Sequence, residues 1–165
     1  MGGDQSLYET DILAWTEQQA AALRDLAARR DLPNALDLEN VIEEIETLGR
    51  SELKAATSPI RLMLGHLVKL ASVPDSPARG HWAGEIMNWQ AEMLASITPS
   101  MHQRIDMDLL WRRALRIAEA ELAAHGDSIL PGLPDTCPLS LADFLAEDFE
   151  PRAAVARIRA AAAGG

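Results

Sequence analysis

Apolar residues recur every three to four positions along most of this chain, and no segment shows the strict alternation of apolar and polar residues that marks a half-buried strand. This helical spacing forms four successive patterns, which proline and glycine residues separate: 7–26, 38–70, 82–97 and 107–122. The pattern therefore predicts an all-α fold, a single helical bundle of about four main helices.

The second pattern is the longest. Asp37 is placed to cap it, and its first half carries an apolar face for the core: Leu38, Val41, Ile42, Ile45 and Leu48. Pro59 interrupts this pattern, and proline inside a helix removes a hydrogen bond and clashes with the preceding turn. We therefore expect a kink or a division at Pro59, with Thr57 or Ser58 as a new N-cap.

The ends of the chain show weaker patterns. Ser6 and Glu9 have the spacing of a capping box at the start of the first helix, and Pro33 with Asn34 predicts the turn after it. The proline-rich segment 127–138 predicts irregular structure. Three apolar residues are expected to anchor it, Leu130, Leu133 and Leu139, and a short helix is expected to begin at Ser140. We expect one domain, residues 1–150, and a helix-prone tail, residues 151–165, that frays because it has few apolar anchors.

Charge and cysteine content indicate which kinds of partner and which cellular compartment are to be expected. The 165 residues carry 25 acidic and 15 basic side chains, a formal charge of −10, which disfavours binding to nucleic acid. The single cysteine, Cys137, has no partner for an internal disulfide, and residues 1–11 lack the basic start and apolar run of a secretory signal. The longest apolar run is also too short and too charged for a membrane span. The sequence therefore predicts a cytoplasmic protein.

The most concentrated polar feature lies on the second helix. Glu39, Glu43, Glu46 and Arg50 fall within a narrow arc of the helix, directly beside its apolar face. Carboxylates one turn apart can bind a hard cation or hold a basic partner. The alternative is a solvated flank in which Glu46 pairs with Arg50 four residues later.

Glu52 projects onto the apolar face itself, near Gly49, which is small enough to admit a close neighbour. A carboxylate in that position needs a partner or changes its pKa. Two outcomes stay open: an arginine of the fourth helix meets Glu52, or a bend at Pro59 turns it outward.

His66 lies in an apolar stretch, where a histidine is more often a satisfied core residue than a metal ligand. The Glu-x-x-His signature of di-iron bundles is absent from the sequence. Two looser pairs have one-turn spacing, His81 with Glu85 and His125 with Glu121. No complete catalytic or cofactor motif is present, so we assign no catalytic residue and no cofactor, and whether a metal binds stays unknown.

Several segments resemble the bacterial domain of unknown function 29 family: Leu7-Tyr8-Glu9-Thr10-Asp11, Asp37-Leu38-Glu39-Asn40, Leu48-Gly49-Arg50-Ser51-Glu52, His66-Leu67-Val68-Lys69 and Cys137-Pro138. The likeness spans residues 7–151, and Pro59 departs from the continuous helix expected there. The resemblance implies a small helical bacterial protein and brings no established activity or catalytic residues.

The charged flank beside an apolar face favours a non-enzymatic interaction or regulatory module that binds a protein partner or self-associates. The alternative is a metal-binding bundle or metal-dependent enzyme that uses carboxylates of the second helix. The candidate functional residues are Glu39, Glu43, Glu46, Arg50, Glu52 and His66.

Overall fold

The computed structural model describes residues 6–29, 33 and 36–164. These residues form seven α-helices and one short 3-10 helix, and no strand occurs among them. The α-helices are α1 Leu7–Thr10, α2 Ile12–Ala27, α3 Leu38–Ser72, α4 Arg79–Ser96, α5 Met107–Ala124, α6 Leu141–Leu145 and α7 Pro151–Ala163. The 3-10 helix is Pro99–Gln103. The all-α prediction is confirmed, and none of these helices is long and apolar enough to cross a membrane.

The first predicted helix is divided. Ser6 makes no capping hydrogen bond with its side chain, so the predicted capping box is wrong. Asp11 instead ends α1 and caps α2, where its carboxylate accepts a hydrogen bond from the backbone N–H of Ala14 at 3.1 Å. The helix breaks here because the buried Asp11 is also bound by residues far along the chain, Thr98 and Ser100. Asn34 of the predicted turn lies outside the described residues.

Helix α3 runs without interruption through Pro59, so the predicted division there is wrong. Proline in a helix interior costs about 3 kcal/mol. The residues that follow offset this cost, because Ile60, Met63, Leu64 and Leu67 are all fully buried. Each such side chain contributes roughly 1.5–3 kcal/mol on burial, provided that the helix continues.

The chain forms two compact units. Unit 1 comprises residues 1–55 and 96–104, and unit 2 comprises residues 56–95 and 105–165. In unit 1, Leu13, Ala20, Leu38 and Met101 are buried. The predicted core face of α3 is only partly covered there: Ile42 and Ile45 are half-buried, whereas Val41 and Leu48 are exposed. The prediction of burial is therefore wrong for these last two residues.

Unit 2 holds the larger apolar core, to which the second half of α3 and helices α4 to α7 contribute. Trp111 of α5 is fully buried, and its indole N–H donates to the carbonyl of Pro134 in the proline-rich segment at 2.8 Å. The anchors predicted for that segment pack on the core, with Leu139 buried and Leu130 and Leu133 partly buried. Residues 151–163, predicted to fray, form α7, whose Ile158 is fully buried.

Candidate functional site

The acidic flank of α3, Glu39, Glu43, Glu46 and Arg50, lies in unit 1. Glu39 and Glu43 are exposed, and Glu46 is half-buried. Glu46 forms ion pairs with Arg24 of α2 and with Arg50, whose Nη1 lies 4.0 Å from Oε2 of Glu46. The pair predicted from the spacing is present, and Arg24 is a partner that the sequence of α3 did not reveal. Two arginines thus balance the most buried carboxylate of the flank.

A groove of about 500 Å³ lies in unit 1 beside this flank. Its charged lining residues are already engaged with one another. Glu17 pairs with Arg104, and Glu46 pairs with both Arg24 and Arg50. An ionic ligand would therefore have to compete with these ion pairs.

Gly49 and Glu52 have different surroundings on α3. Gly49 is buried against α2, and a Cβ atom added to it would overlap Oγ1 of Thr16 and lie 3.4 Å from Cδ1 of Leu13. The predicted close approach at Gly49 is confirmed. Glu52 is half-buried, and within the described ranges it forms no ion pair, with an arginine of α5 or with any other residue.

The His66 cluster, which we define as His66, Lys69, Glu85 and Glu121, lies in unit 2. Nε2 of His66 is 2.7 Å from Oε2 of Glu85, and Nζ of Lys69 donates to Oε2 of Glu121 at 2.7 Å. The His66 side chain is 14% exposed and that of Lys69 is 9% exposed. Helix α3 thus presents two polar groups one turn apart, and α4 and α5 each supply a carboxylate for one of them.

Two tryptophans of α4 pack on this cluster. The ring of Trp89 meets the His66 imidazole edge to face, with centroids 4.7 Å apart, and Nζ of Lys69 lies 5.1 Å from the ring centroid of Trp82. The face of an aromatic ring attracts a cation, so the ring of Trp82 stabilises the ammonium of Lys69. Each polar group that α3 presents to the cluster thus lies against an aromatic ring of α4.

Of the two histidine–glutamate pairs that have one-turn spacing, one is in contact. Nε2 of His81 is 3.4 Å from Oε2 of Glu85, so this carboxylate lies between His66 and His81. The side chains of the other pair do not meet, because Nδ1 of His125 contacts the backbone carbonyl of Glu121 while the carboxylate of Glu121 binds Lys69. Across residues 6–29, 33 and 36–164, no three histidine, cysteine or acidic side chains are grouped in a way that could hold a metal ion.

The surroundings of His66 favour its neutral form. Burial lowers the pKa of His66 below its ordinary value of 6.5, and the positive charge of Lys69 lowers it further. The hydrogen bond and charge of Glu85 and the charge of Glu121 oppose this shift without reversing it. At neutral pH the imidazole of His66 is therefore neutral.

We expect the imidazole of His66 to titrate with a midpoint below 6.5 when it is followed by NMR. As the pH falls below 6.5, His66 is protonated more readily in the unfolded chain than in the folded chain, where its pKa is lower. Protonation therefore favours the unfolded chain, and the free energy of unfolding should fall as the pH is lowered. In denaturation series between about pH 5.5 and 7.5, the variant His66→Gln should lose this dependence. The same substitution at the exposed His102 should keep it. A His66 midpoint above 6.5 would contradict the assignment.

Cys137 lies outside these clusters and shows no sign of nucleophilic activation. Burial raises its pKa to about 11, and its backbone N–H donates to Oδ1 of Asp108 at 2.8 Å. The thiol is therefore protonated at neutral pH and is a poor nucleophile.

Comparisons with known proteins place the chain in a family. The family model described as "Domain of unknown function DUF29" matches residues 7–150. A search of curated proteins finds no match. The crystal structure of an alpha-helical protein of unknown function from Rhodospirillum rubrum is similar at 43% sequence identity and a TM-score of 0.84, covering 94% of this chain and 99% of that one. The chain therefore belongs to the domain of unknown function 29 family.

Proposed function

We propose that this chain is a protein-interaction module that binds a basic amphipathic helix along the first half of α3. The observation that carries the proposal is an exposed apolar row on that helix. Val41 is 41% exposed and Leu48 is 38% exposed, seven residues apart and hence two turns along one flank, with the half-buried Ile45 between them. We call these three residues the apolar row. Single exposed apolar residues are ordinary, but a row at helical spacing is what a partner helix covers.

The charge around the apolar row favours a basic partner. Residues 38–55 carry five acidic and two basic side chains, and three of the acids, Glu39, Glu43 and Glu46, project from the other side of the helix. Glu44 and Glu52 lie on the same flank as the row. Like charge disfavours a second copy of this chain on that surface, whereas lysines or arginines beside an apolar face would complement it.

The alternative of a metal-binding bundle gains no support from the described side chains. Glu46 is paired with Arg24 and Arg50, and His66 is paired with Glu85. A protein site for a cation uses at least three ligands. In the described part of the chain, no group of three histidine, cysteine or acidic side chains could hold a metal ion. The cytoplasmic location stays a prediction from the sequence.

The proposal predicts binding of a synthetic helical peptide made of leucine on one face and lysine on the other, measured by fluorescence anisotropy of a labelled peptide. Substituting Val41→Gln and Leu48→Gln together should weaken binding by about tenfold or more, since two anchors lose their apolar contact. A peptide with glutamate in place of lysine should not bind. Affinity should fall with added salt, because the charged flanks steer association.

The matched control is the pair Met87→Gln and Ile117→Gln, which removes apolar groups of similar exposure, 42% and 41%, from α4 and α5. If both double variants weakened peptide binding equally, binding would be non-specific and the proposal would be contradicted. Light scattering supplies a second readout. A dimer that dissociates on Val41→Gln and Leu48→Gln would show that the row binds a second copy instead.

A further inference from the structure

A second groove, of about 570 Å³, lies in unit 2 and is independent of the apolar row. Residues from the end of α3, the loop after it, the start of α4 and the first turns of α7 line it. Its volume is within the range of about 300–1,000 Å³ that small-molecule sites occupy. We call it the arginine groove, after Arg79, Arg152 and Arg159.

The lining of the arginine groove is positively charged, whereas the chain as a whole is acidic. Three arginines line it and no acidic residue does, although acidic residues outnumber basic ones by 25 to 15 in the whole sequence. Glu150, the residue before α7, lines a different groove. A local cationic surface on an acidic protein attracts anions selectively.

The arginines are available to a ligand. Arg159 is held in place, because its Nε and Nη2 donate to the backbone carbonyls of Ala71 and Leu70 at 3.2 and 3.1 Å. A guanidinium has five N–H donors, so this arrangement fixes the group and leaves others unused. Arg79 and Arg152 form no ion pair with the residues that the structure describes.

Two helix starts also line the groove and add positive potential. Arg79 is the first residue of α4, and Pro151 is the first residue of α7. The N-cap of α7, Glu150, makes no capping hydrogen bond with its side chain, so the first N–H groups of α7 have no side-chain acceptor from the cap. Unbonded N–H groups at a helix start favour a negatively charged ligand.

The remaining wall is apolar. Leu70, Pro74, Ala83 and Val155 line the groove together with the arginines. A plain inorganic anion would leave this surface in water, whereas an anion joined to an apolar group would cover it. We propose that the arginine groove binds a small organic anion, a carboxylate or phosphate attached to an aromatic or aliphatic group.

The test uses the full chain and a fluorescent probe, 8-anilinonaphthalene-1-sulfonate, which joins an anion to an apolar ring system. Phenyl phosphate should displace the probe, and benzyl alcohol, which lacks the charge, should not. The double variant Arg79→Gln and Arg152→Gln should bind phenyl phosphate about tenfold more weakly or worse, since two charge-assisted contacts are lost. The backbone NMR signal of Arg152, which lines the groove, should shift on binding.

Two matched controls keep the result specific to this groove. Arg112→Gln with Arg113→Gln removes equal charge from exposed positions of α5 and should leave the affinity unchanged. Ala156→Glu places an acid in the groove and should abolish binding, whereas Ala153→Glu, exposed on α7 but lining another groove, should not.

Equal loss in both arginine double variants would overturn the proposal, because it would show attraction by overall charge. Displacement by inorganic phosphate at the same concentration as phenyl phosphate would also overturn it, because the apolar wall would then contribute nothing. Probe binding that none of the groove variants changes would place the ligand elsewhere.

Discussion

Replacing Asp11 with alanine is expected to lower the free energy of unfolding by about 3 kcal/mol. Asp11 is 7% exposed, and its carboxylate accepts four hydrogen bonds. Their donors are the N–H of Ala14 at 3.1 Å, the hydroxyl of Thr98 at 2.9 Å, and the N–H and hydroxyl of Ser100 at 2.8 and 2.6 Å. Removing the acceptor leaves these donors poorly satisfied, and it also removes the cap of α2. Urea denaturation followed by circular dichroism measures the loss.

Asp37 provides the matched control for Asp11. It caps the start of α3 by accepting a hydrogen bond from the N–H of Asn40 at 3.3 Å, and it is exposed. Asp37→Ala should therefore cost about 1 kcal/mol, as loss of an ordinary cap does. Equal costs at the two positions would contradict the role that we give to the contacts of Asp11 with residues 98 and 100.

The Asp11 variant should also change the response to acid. Burial raises the pKa of this carboxyl, but its hydrogen bonds from Ser100, Ala14 and Thr98 together hold it below the ordinary value of 3.8. A carboxyl with a lowered pKa stabilises the fold above the unfolded pKa, and this stability is lost as the pH falls through the folded pKa. The wild-type chain should therefore lose more stability than Asp11→Ala between about pH 5 and 2.

Gly49→Ala is expected to lower the free energy of unfolding by about 2 kcal/mol, although alanine is the better helix former. The new Cβ would overlap Oγ1 of Thr16, which is itself held by a hydrogen bond to the carbonyl of Leu13 at 2.7 Å. Either α2 moves away from α3 or Thr16 gives up this bond. Thermal unfolding of the purified variants measures the effect.

Gly65 is the matched control, because it lies on the same helix and a Cβ there would meet no atom within 4 Å. Gly65→Ala should raise stability by about 1 kcal/mol, the ordinary gain in helix propensity. Combining Gly49→Ala with Thr16→Ala should recover part of the lost stability by removing the overlapping oxygen. The same sign of change at both glycines would contradict the close approach of α2 and α3.

Asp11 and Gly49 matter to the proposed function because they hold unit 1 together. Asp11 ties the start of α2 to residues 98 and 100, and Gly49 lets α2 lie close against the first half of α3. The apolar row lies on that half of α3. Variants at Asp11 or Gly49 would disturb this surface indirectly, whereas Val41→Gln and Leu48→Gln change only exposed side chains.

The four long helices follow from the sequence because their apolar residues repeat at the helical period, and this repeat is a property of neighbouring residues. The cap at Asp37, the Glu46–Arg50 pair and the small Gly49 at a close contact are equally local and were predicted. The predicted division at Pro59 was wrong because proline's cost in a helix, about 3 kcal/mol, is a local property. The burial of the residues after it, which offsets this cost, depends on the tertiary structure.

Only the tertiary structure decided which part of each helix face is covered and which polar groups meet. Periodicity showed that Val41 and Leu48 are apolar, but their exposure depends on where other helices lie. Asp11 meets Ser100 across 89 positions, and Lys69 meets Glu121 across 52. Such contacts depend on the path of the whole chain, so the pattern of residues near either partner in the sequence does not predict them. The sequence by itself therefore determined the helices, and packing determined the polar clusters, the apolar row and the arginine groove.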